Sequence, residues 1–342
     1  MTEEAKPVIG ITMGDPAGIG PEIVLKSVVD PELRNVCEPL VIGDLEFLRD
    51  EARRFGLPVS LEAFDRKDPS FPQTSVAVRN LPNIFDASIT LGIESPDAGK
   101  ASAEYIMEGV ELWNAGIIDA ICTAPINKAS LNLGGYDFPG HTEFLADLTN
   151  TRDFRMSFMS GDLRVLLLST HLSLKEAIGK VKKDAMIELI RFADRELSKL
   201  LGREVTLAVA GLNPHASEGG LFGDEEQNEI QPAVEACQMV HEIDVKGPFS
   251  PDTVFLRAYR GEFDGVIACY HDQATIAVKS LSFGRGVNVT LGLPLIRTSV
   301  DHGTAYDLAG KGEADHHSML AAIACAADFV KIGKNSSSAE AG

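Results

Sequence analysis

Short apolar runs rich in Val and Ile alternate along the chain with longer stretches in which apolar residues recur at helical spacing. The runs Val8–Thr12, Leu40–Gly43, Ser75–Val78, Ile118–Thr123, Arg164–Ser169, Val205–Ala210, Gly265–Cys269 and Asn288–Leu291 are mostly unbroken in hydrophobicity, as strands covered on both faces are. Between them the spacing predicts helices over Pro21–Val29, Leu45–Phe55, Gly99–Asn114, Lys183–Leu201, Glu225–Val240 and Ser318–Val330. Pro21 sits in the first turn of one, and Gly56, Gly116 and Gly202 stop three others. Such alternation predicts an α/β protein with helices flanking mostly parallel sheets. Two Gly/Pro-rich segments, Leu133–Gly140 and Gly284–Gly292, are candidate hinges. If both are, residues 136–289 form a second domain inserted within a first made of 1–135 plus 290–342. The serine-rich tail Lys334–Gly342 is expected to be disordered.

The 342 residues are ample for two packed domains. Fifty acidic against 31 basic side chains give a net charge of −19, which repels nucleic-acid phosphates and argues against that class of partner. No basic-then-apolar leader and no apolar stretch of ~20 residues is present, so the expectation is a cytoplasmic protein with no membrane association. Cys37, Cys122, Cys237, Cys269 and Cys325 are odd in number and never in CxxC spacing, so they read as small core residues rather than disulfides or a thiolate metal site.

Candidate chemistry begins with three histidines in equivalent topological slots. His171, His215 and His271 each follow a predicted strand. Ligands of open α/β sheets bind beyond the carboxyl ends of strands, so these imidazoles could converge on a catalytic divalent metal, or each could simply close its strand. The first loop, Met13–Glu22, offers glycines and a helix start to an anion, or is a tight turn. Its glycine order is not a dinucleotide fingerprint, and no P-loop occurs. His141 and Thr142 open a predicted helix, suited to a phosphate or carboxylate, or to a cap at Thr142. Lys279, Arg285 and Arg297 lie within 19 positions of one another beside flexible glycines, either an anion site or surface ion pairs.

Across Val8–Ala327 the sequence resembles the 4-hydroxythreonine-4-phosphate dehydrogenase family of pyridoxal phosphate biosynthesis. The likeness rests on separated motifs: Gly14–Glu22, Gly140–Phe144, Thr170–Leu172, Gly211–Ala216, Tyr270–Gln273 and Gly292–Ala305. It implies two α/β/α domains of the isocitrate/isopropylmalate dehydrogenase type with the active site in an interdomain cleft, the second domain carrying the metal ligands and the dimer interface. It further implies His171, His215 and His271 as ligands of a divalent metal (zinc, magnesium or cobalt), and His141, Thr142, Lys279, Asn288 and Arg297 as substrate contacts. A homodimer that completes the metal site across its interface follows from the same likeness.

The segment Asp301–Ala305 through Ala309–Gly312 resembles the cofactor loop of isocitrate and isopropylmalate dehydrogenases, which implies NAD, or NADP, at His302, Gly303, Thr304 and Ala305. Asp272, with Lys279, is the candidate for catalytic proton handling. Two departures stand out: Ala274 and Ala277 occupy positions where the family has Gly and Pro. The expected reaction is NAD-dependent oxidation of 4-phosphooxy-L-threonine at C3 followed by decarboxylation to 3-amino-2-oxopropyl phosphate. Phe283–Asn288 resembles that biosynthetic branch. Thr123–Lys128 resembles the branch acting on 4-phospho-D-threonate or 4-phospho-D-erythronate, the alternative.

Overall fold

The computed structural model describes residues 6–84 and 89–340. The chain divides into two compact units, Met1–Phe154 with Gly292–Lys331, and Arg155–Leu291 with Ile332–Gly342. The described strands are β1 (Val8–Thr12), β2 (Glu38–Gly43), β3 (Leu61–Ala63), β4 (Val76–Asn80), β5 (Ala120–Thr123), β6 (Arg155–Ser160), β7 (Leu163–Leu167), β8 (Leu207–Ala210), β9 (Val245–Phe249), β10 (Gly265–Ala268), β11 (Val287–Leu291) and β12 (Ile296–Val300).

In the first unit the strand order is β3-β4-β2-β1-β5-β12, every pairing parallel. Ile11 of β1 lies opposite Val41 and Cys122, and Arg297 of β12 opposite Ile121. Ile9, Ile11, Leu40, Ile42 and Ile121 are fully buried. Each such side chain contributes roughly 1.5–3 kcal/mol on leaving water.

The division into two units places the Leu133–Gly140 segment inside the first unit, where two packing features hold it. The helices Pro96–Asn114 and Lys128–Leu133 press so closely together that a Cβ on Gly99 would stand 1.7 Å from the Ser130 carbonyl oxygen. Tyr136 and Phe138 then stack on Phe144 at 5.7 and 4.5 Å between ring centres. The helix His141–Leu148 therefore belongs to the first unit, and the boundary falls after Phe154 rather than after residue 135.

The second unit orders its strands β11-β6-β7-β10-β8-β9. β7, β10, β8 and β9 are parallel, but β6 runs antiparallel to both β7 and β11. β6 is a strand the hydropathy pattern misses, because Arg155-Met-Ser-Phe-Met-Ser lacks the Val/Ile signature, and the β6–β7 turn is made at Gly161 with φ +56°. The core beneath this sheet is built from Phe158, Val165, Ala208, Val254, Phe263, Val266 and Val278.

Two helix expectations also change. Glu225–Val240 is a π turn over Glu226–Ile230 followed by an α-helix Gln231–His241, the break falling where Pro232 lacks an N–H. The tail is helical too. The last helix runs His317–Glu340, since no proline follows Val330 to stop it.

Candidate active site

β7, β10 and β8 are parallel neighbours, so their carboxyl ends lie side by side. Just beyond those ends stand His171, His271 and His215 respectively, with β10 and its histidine in the middle. The rings of His171 and His271 are 5.8 Å apart between centres. His271 Nδ1 is 2.8 Å from an Asp272 carboxylate oxygen, a pairing that favours the tautomer with the proton on Nδ1 and the lone pair on Nε2.

Gln273 fixes the spacing of two of these loops. Its Oε1 accepts from the Cys269 backbone N–H at 2.7 Å and its Nε2 donates to the Gly211 carbonyl at 2.8 Å, tying the end of β10 to the end of β8. His215 lies in a run of four non-glycine residues with positive φ, from His215 (φ 55°) to Glu218 (φ 47°). Such a conformation persists only where surroundings enforce it. The enforcing group is the buried Glu226, whose carboxylate takes the Asn213 backbone N–H at 2.7 Å and its side-chain amide at 2.9 Å.

Two imidazoles at this distance, one already oriented by a carboxylate, suit a divalent metal. His215 is exposed on its own turn, and among the described residues the three histidines do not bring their ligand atoms within 4.8 Å of one another. The group that does so is Asp315, His316 and His317, at the start of the last helix. There Asp315 Oδ1 accepts from the His317 backbone N–H at 2.9 Å, closing the helix end.

In the first unit, Arg297 is among the largest fully buried side chains, and its Nη2 donates to Thr123 Oγ1 at 2.8 Å. Burial draws its guanidinium down to about 10, opposed by Cys122 and Glu143. It is therefore still a cation at neutral pH. His141 is the reverse case. Burial first, then the nearby Arg297 charge, hold the His141 imidazole well below the usual histidine range against a hydrogen bond to the Ala124 backbone, so the ring is neutral. Its Nε2 is buried and has no partner among the described residues.

In the second unit, Asn288 Oδ1 is likewise buried without a partner, while Nδ2 lies 3.2 Å from Met156 Sδ. Lys279 is exposed on the helix His271–Ser282. Ala274 and Ala277 stand inside that same helix, where Gly or Pro would weaken it.

In the glycine-rich first loop four successive non-proline amides are engaged within the protein, which supports the tight-turn reading. Asp15 N–H donates to Pro125 O, Ala17 N–H to Asp15 Oδ1, Gly18 N–H to Asp15 O and Ile19 N–H to Thr304 O. Gly18 instead admits the 302–305 segment, a Cβ there falling 2.9 Å from the Thr304 carbonyl oxygen. Within that segment Gly303 faces open space and His302 Nδ1 is 3.1 Å from Gly303 O. Gln273 and Thr123 fall in the Tyr270–Gln273 and Thr123–Lys128 motifs, but neither they nor Glu226 show a site-building role in the sequence. The only signal for the first was its place after His-Asp.

Comparison with known proteins defines the class first. The chain is 46% identical over 319 residues to the D-threonate 4-phosphate dehydrogenase of Cupriavidus necator, covering 93% of this chain and 95% of that one. A 4-hydroxythreonine-4-phosphate dehydrogenase structure from Klebsiella pneumoniae superposes with TM-score 0.87 at 39% identity, over 95% of this chain and 100% of that one. A second, from Burkholderia phymatum, gives 0.83 at 44% identity, over 95% and 99%. The protein is an oxidoreductase of the dehydrogenase type.

The family model of the pyridoxal phosphate biosynthetic protein PdxA matches residues 35–326, and the chain belongs to that family. Among the described residues no helix is long and apolar enough to cross a membrane.

Proposed function

We propose that this protein oxidises the C3 hydroxyl of a 4-phosphorylated four-carbon hydroxy acid, with NAD⁺ as hydride acceptor, and releases the substrate carboxylate as CO₂. The observation that carries this reading is the buried, charged Arg297 bonded to Thr123 beside a neutral His141 with an unpartnered Nε2. A desolvated guanidinium next to an uncharged imidazole is a receptor for an anion with further polar groups.

A bound divalent ion would supply Lewis-acid polarisation at the C3 oxygen and a bound nicotinamide would accept the hydride. His171 and His271, with His215, would hold the ion. Asp272 keeps His271 in the tautomer that offers Nε2. In the first unit Arg297 and Thr142 would take a phosphate or carboxylate and His141 Nε2 would accept from a substrate hydroxyl; in the second, Lys279 and Asn288 would offer contacts of the same kind. These contacts use binding energy remote from C3 to orient the C3–H bond. His302, Gly303, Thr304 and Ala305 receive the dinucleotide, Gly303 giving close access to the backbone. A homodimer that completes the metal site fits the exposed Leu221 and Phe222 beside His215, 72% and 44% accessible.

For the substrate we place D-threonate 4-phosphate first. A relative at 46% identity carries that name, and Thr123–Lys128, which contains the partner of Arg297, has the sugar-acid form. 4-Phosphooxy-L-threonine is the second reading, favoured by the Phe283–Asn288 form and by the names of the similar structures. The two differ at C2, hydroxyl against amine. NADH formation by the purified protein, measured with each compound and with and without chelator, tests both levels. Turnover that survives complete metal removal refutes the metal-dependent reaction. A higher kcat/KM for the amino acid reverses the order of substrates.

A further inference from the structure

We infer that Asp15 and Tyr306 are positioning residues for the dinucleotide, a buried carboxylate–phenol clasp that sets the shape of the segment His302–Ala305. The inference rests on the reading of that segment as the cofactor site. Nothing in the sequence motif itself assigns Asp15 a partner.

The clasp is built from three segments of the first unit. Tyr306 Oη donates to Asp15 Oδ2 at 2.8 Å, and Ser130 Oγ lies 3.1 Å from the same phenol oxygen. The other Asp15 oxygen accepts the Ala17 N–H at 2.8 Å. Asp15 is fully buried, and burial raises its carboxyl above the usual aspartate range against the hydrogen bonds it accepts. Its stabilisation comes from Tyr306, the Ala17 and Asn127 backbone, and Ser130. Burial raises the Tyr306 phenol above its usual range, so it remains a donor at every working pH.

Two further contacts show that the clasp acts on the segment next to it. The Ile19 N–H holds the Thr304 carbonyl at 3.0 Å, and a Cβ on Gly92 would come 2.7 Å from the Tyr306 carbonyl. Ala305, between these anchors, has φ +40°, a strained value for alanine. Without the Tyr306–Asp15 bond, the relaxed form of residues 302–305 becomes accessible. Cofactor affinity then falls in proportion to the fraction of molecules still holding the bound shape.

The test is Tyr306→Phe, which removes one oxygen and keeps the ring. A hydrogen bond to a buried carboxylate is worth on the order of tenfold in an equilibrium, so KM and Kd for NAD⁺ should rise about three- to tenfold. The kcat should stay within about twofold and substrate KM should not move. Hydrogen exchange of the 301–306 amides should quicken in the same variant without cofactor. Asp15→Asn can still accept from Ala17 and pair with Tyr306, so it should recover affinity that Asp15→Ala loses. Wild-type turnover with an unchanged NAD⁺ KM in Tyr306→Phe overturns the clasp alone. A wild-type protein that neither binds NAD⁺ nor NADP⁺ nor forms reduced cofactor overturns the cofactor reading with it.

Discussion

Replacing Gln273 with Leu, close in size but without the amide, should loosen the proposed metal site through its scaffold rather than its ligands. The change deletes two hydrogen bonds, from the Cys269 N–H and to the Gly211 carbonyl, and both backbone groups are buried. Each bond is worth about 1 kcal/mol net, and a stranded buried partner adds to that, so the loss is about 3 kcal/mol. At roughly 3 °C per kcal/mol for a unit of this size, the thermal midpoint falls by about 9 °C.

The second consequence is on the metal. The ends of β10 and β8 lose their tie, so His271 and His215 sample wrong spacings, and affinity for Zn²⁺ or Co²⁺ should drop by about 10–100-fold, as for other groups that orient ligands. Calorimetric titration of metal-free wild type and variant reads the affinity, and scanning calorimetry the midpoint. Gln273→Glu should fall between, accepting from Cys269 but unable to donate to Gly211. Unchanged metal affinity in a Gln273→Leu protein whose midpoint has fallen would show that the amide stabilises the fold without organising the site.

Arg297→Met should weaken binding of the phosphorylated substrate by on the order of 10–100-fold in KM, while stability holds or rises because an apolar side chain replaces a buried charge; a large stability loss with normal KM would make Arg297 structural. His141 is neutral in the folded chain, whereas the unfolded chain takes up a proton there below about pH 6.5, so stability contributed above that pH is lost as pH falls. Denaturant midpoints at pH 7.5 and 5.5 should accordingly differ more in wild type than in His141→Asn, and equal differences would refute the buried neutral ring. Gly99→Ala forces a Cβ onto the Ser130 carbonyl and should cost about 3 kcal/mol or more in urea unfolding, with an unaffected midpoint contradicting the close approach of the two helices.

Legibility followed the physics of each element. β1, the core of β2 and the helix Lys183–Leu201 were readable because burial on both faces, or amphipathic spacing closed by Gly202, leaves a direct mark on composition. β6, β9 and β12 were not: they mix Met, Lys, Pro, Arg and Ser with apolar residues, and only their neighbours make them strands. Among site residues, the shared slot of His171, His215 and His271 could be inferred from strand ends. The orphaned nitrogen of His141 could not, since it depends on which groups surround it after folding. The first loop was ambiguous for a related reason. Glycines at close-packed backbone and glycines around an anion look alike until the amide partners are known, and here Pro125, Asp15 and Thr304 have taken them.

The placing of β10 between β7 and β8 has a consequence for how the second unit matures. β10 is the last of the three in the chain yet sits in the middle of the sheet, hydrogen-bonded on both sides. Until Gly265–Ala268 has been synthesised, β7 and β8 each present an apolar, unpaired edge, the condition that invites intermolecular pairing. The same insertion delivers His271 and Gln273, so a proposed metal ligand and closure of the sheet arrive together. A ribosome-bound chain ending short of Gly265 thus exposes both edges and lacks His271 and Gln273 together.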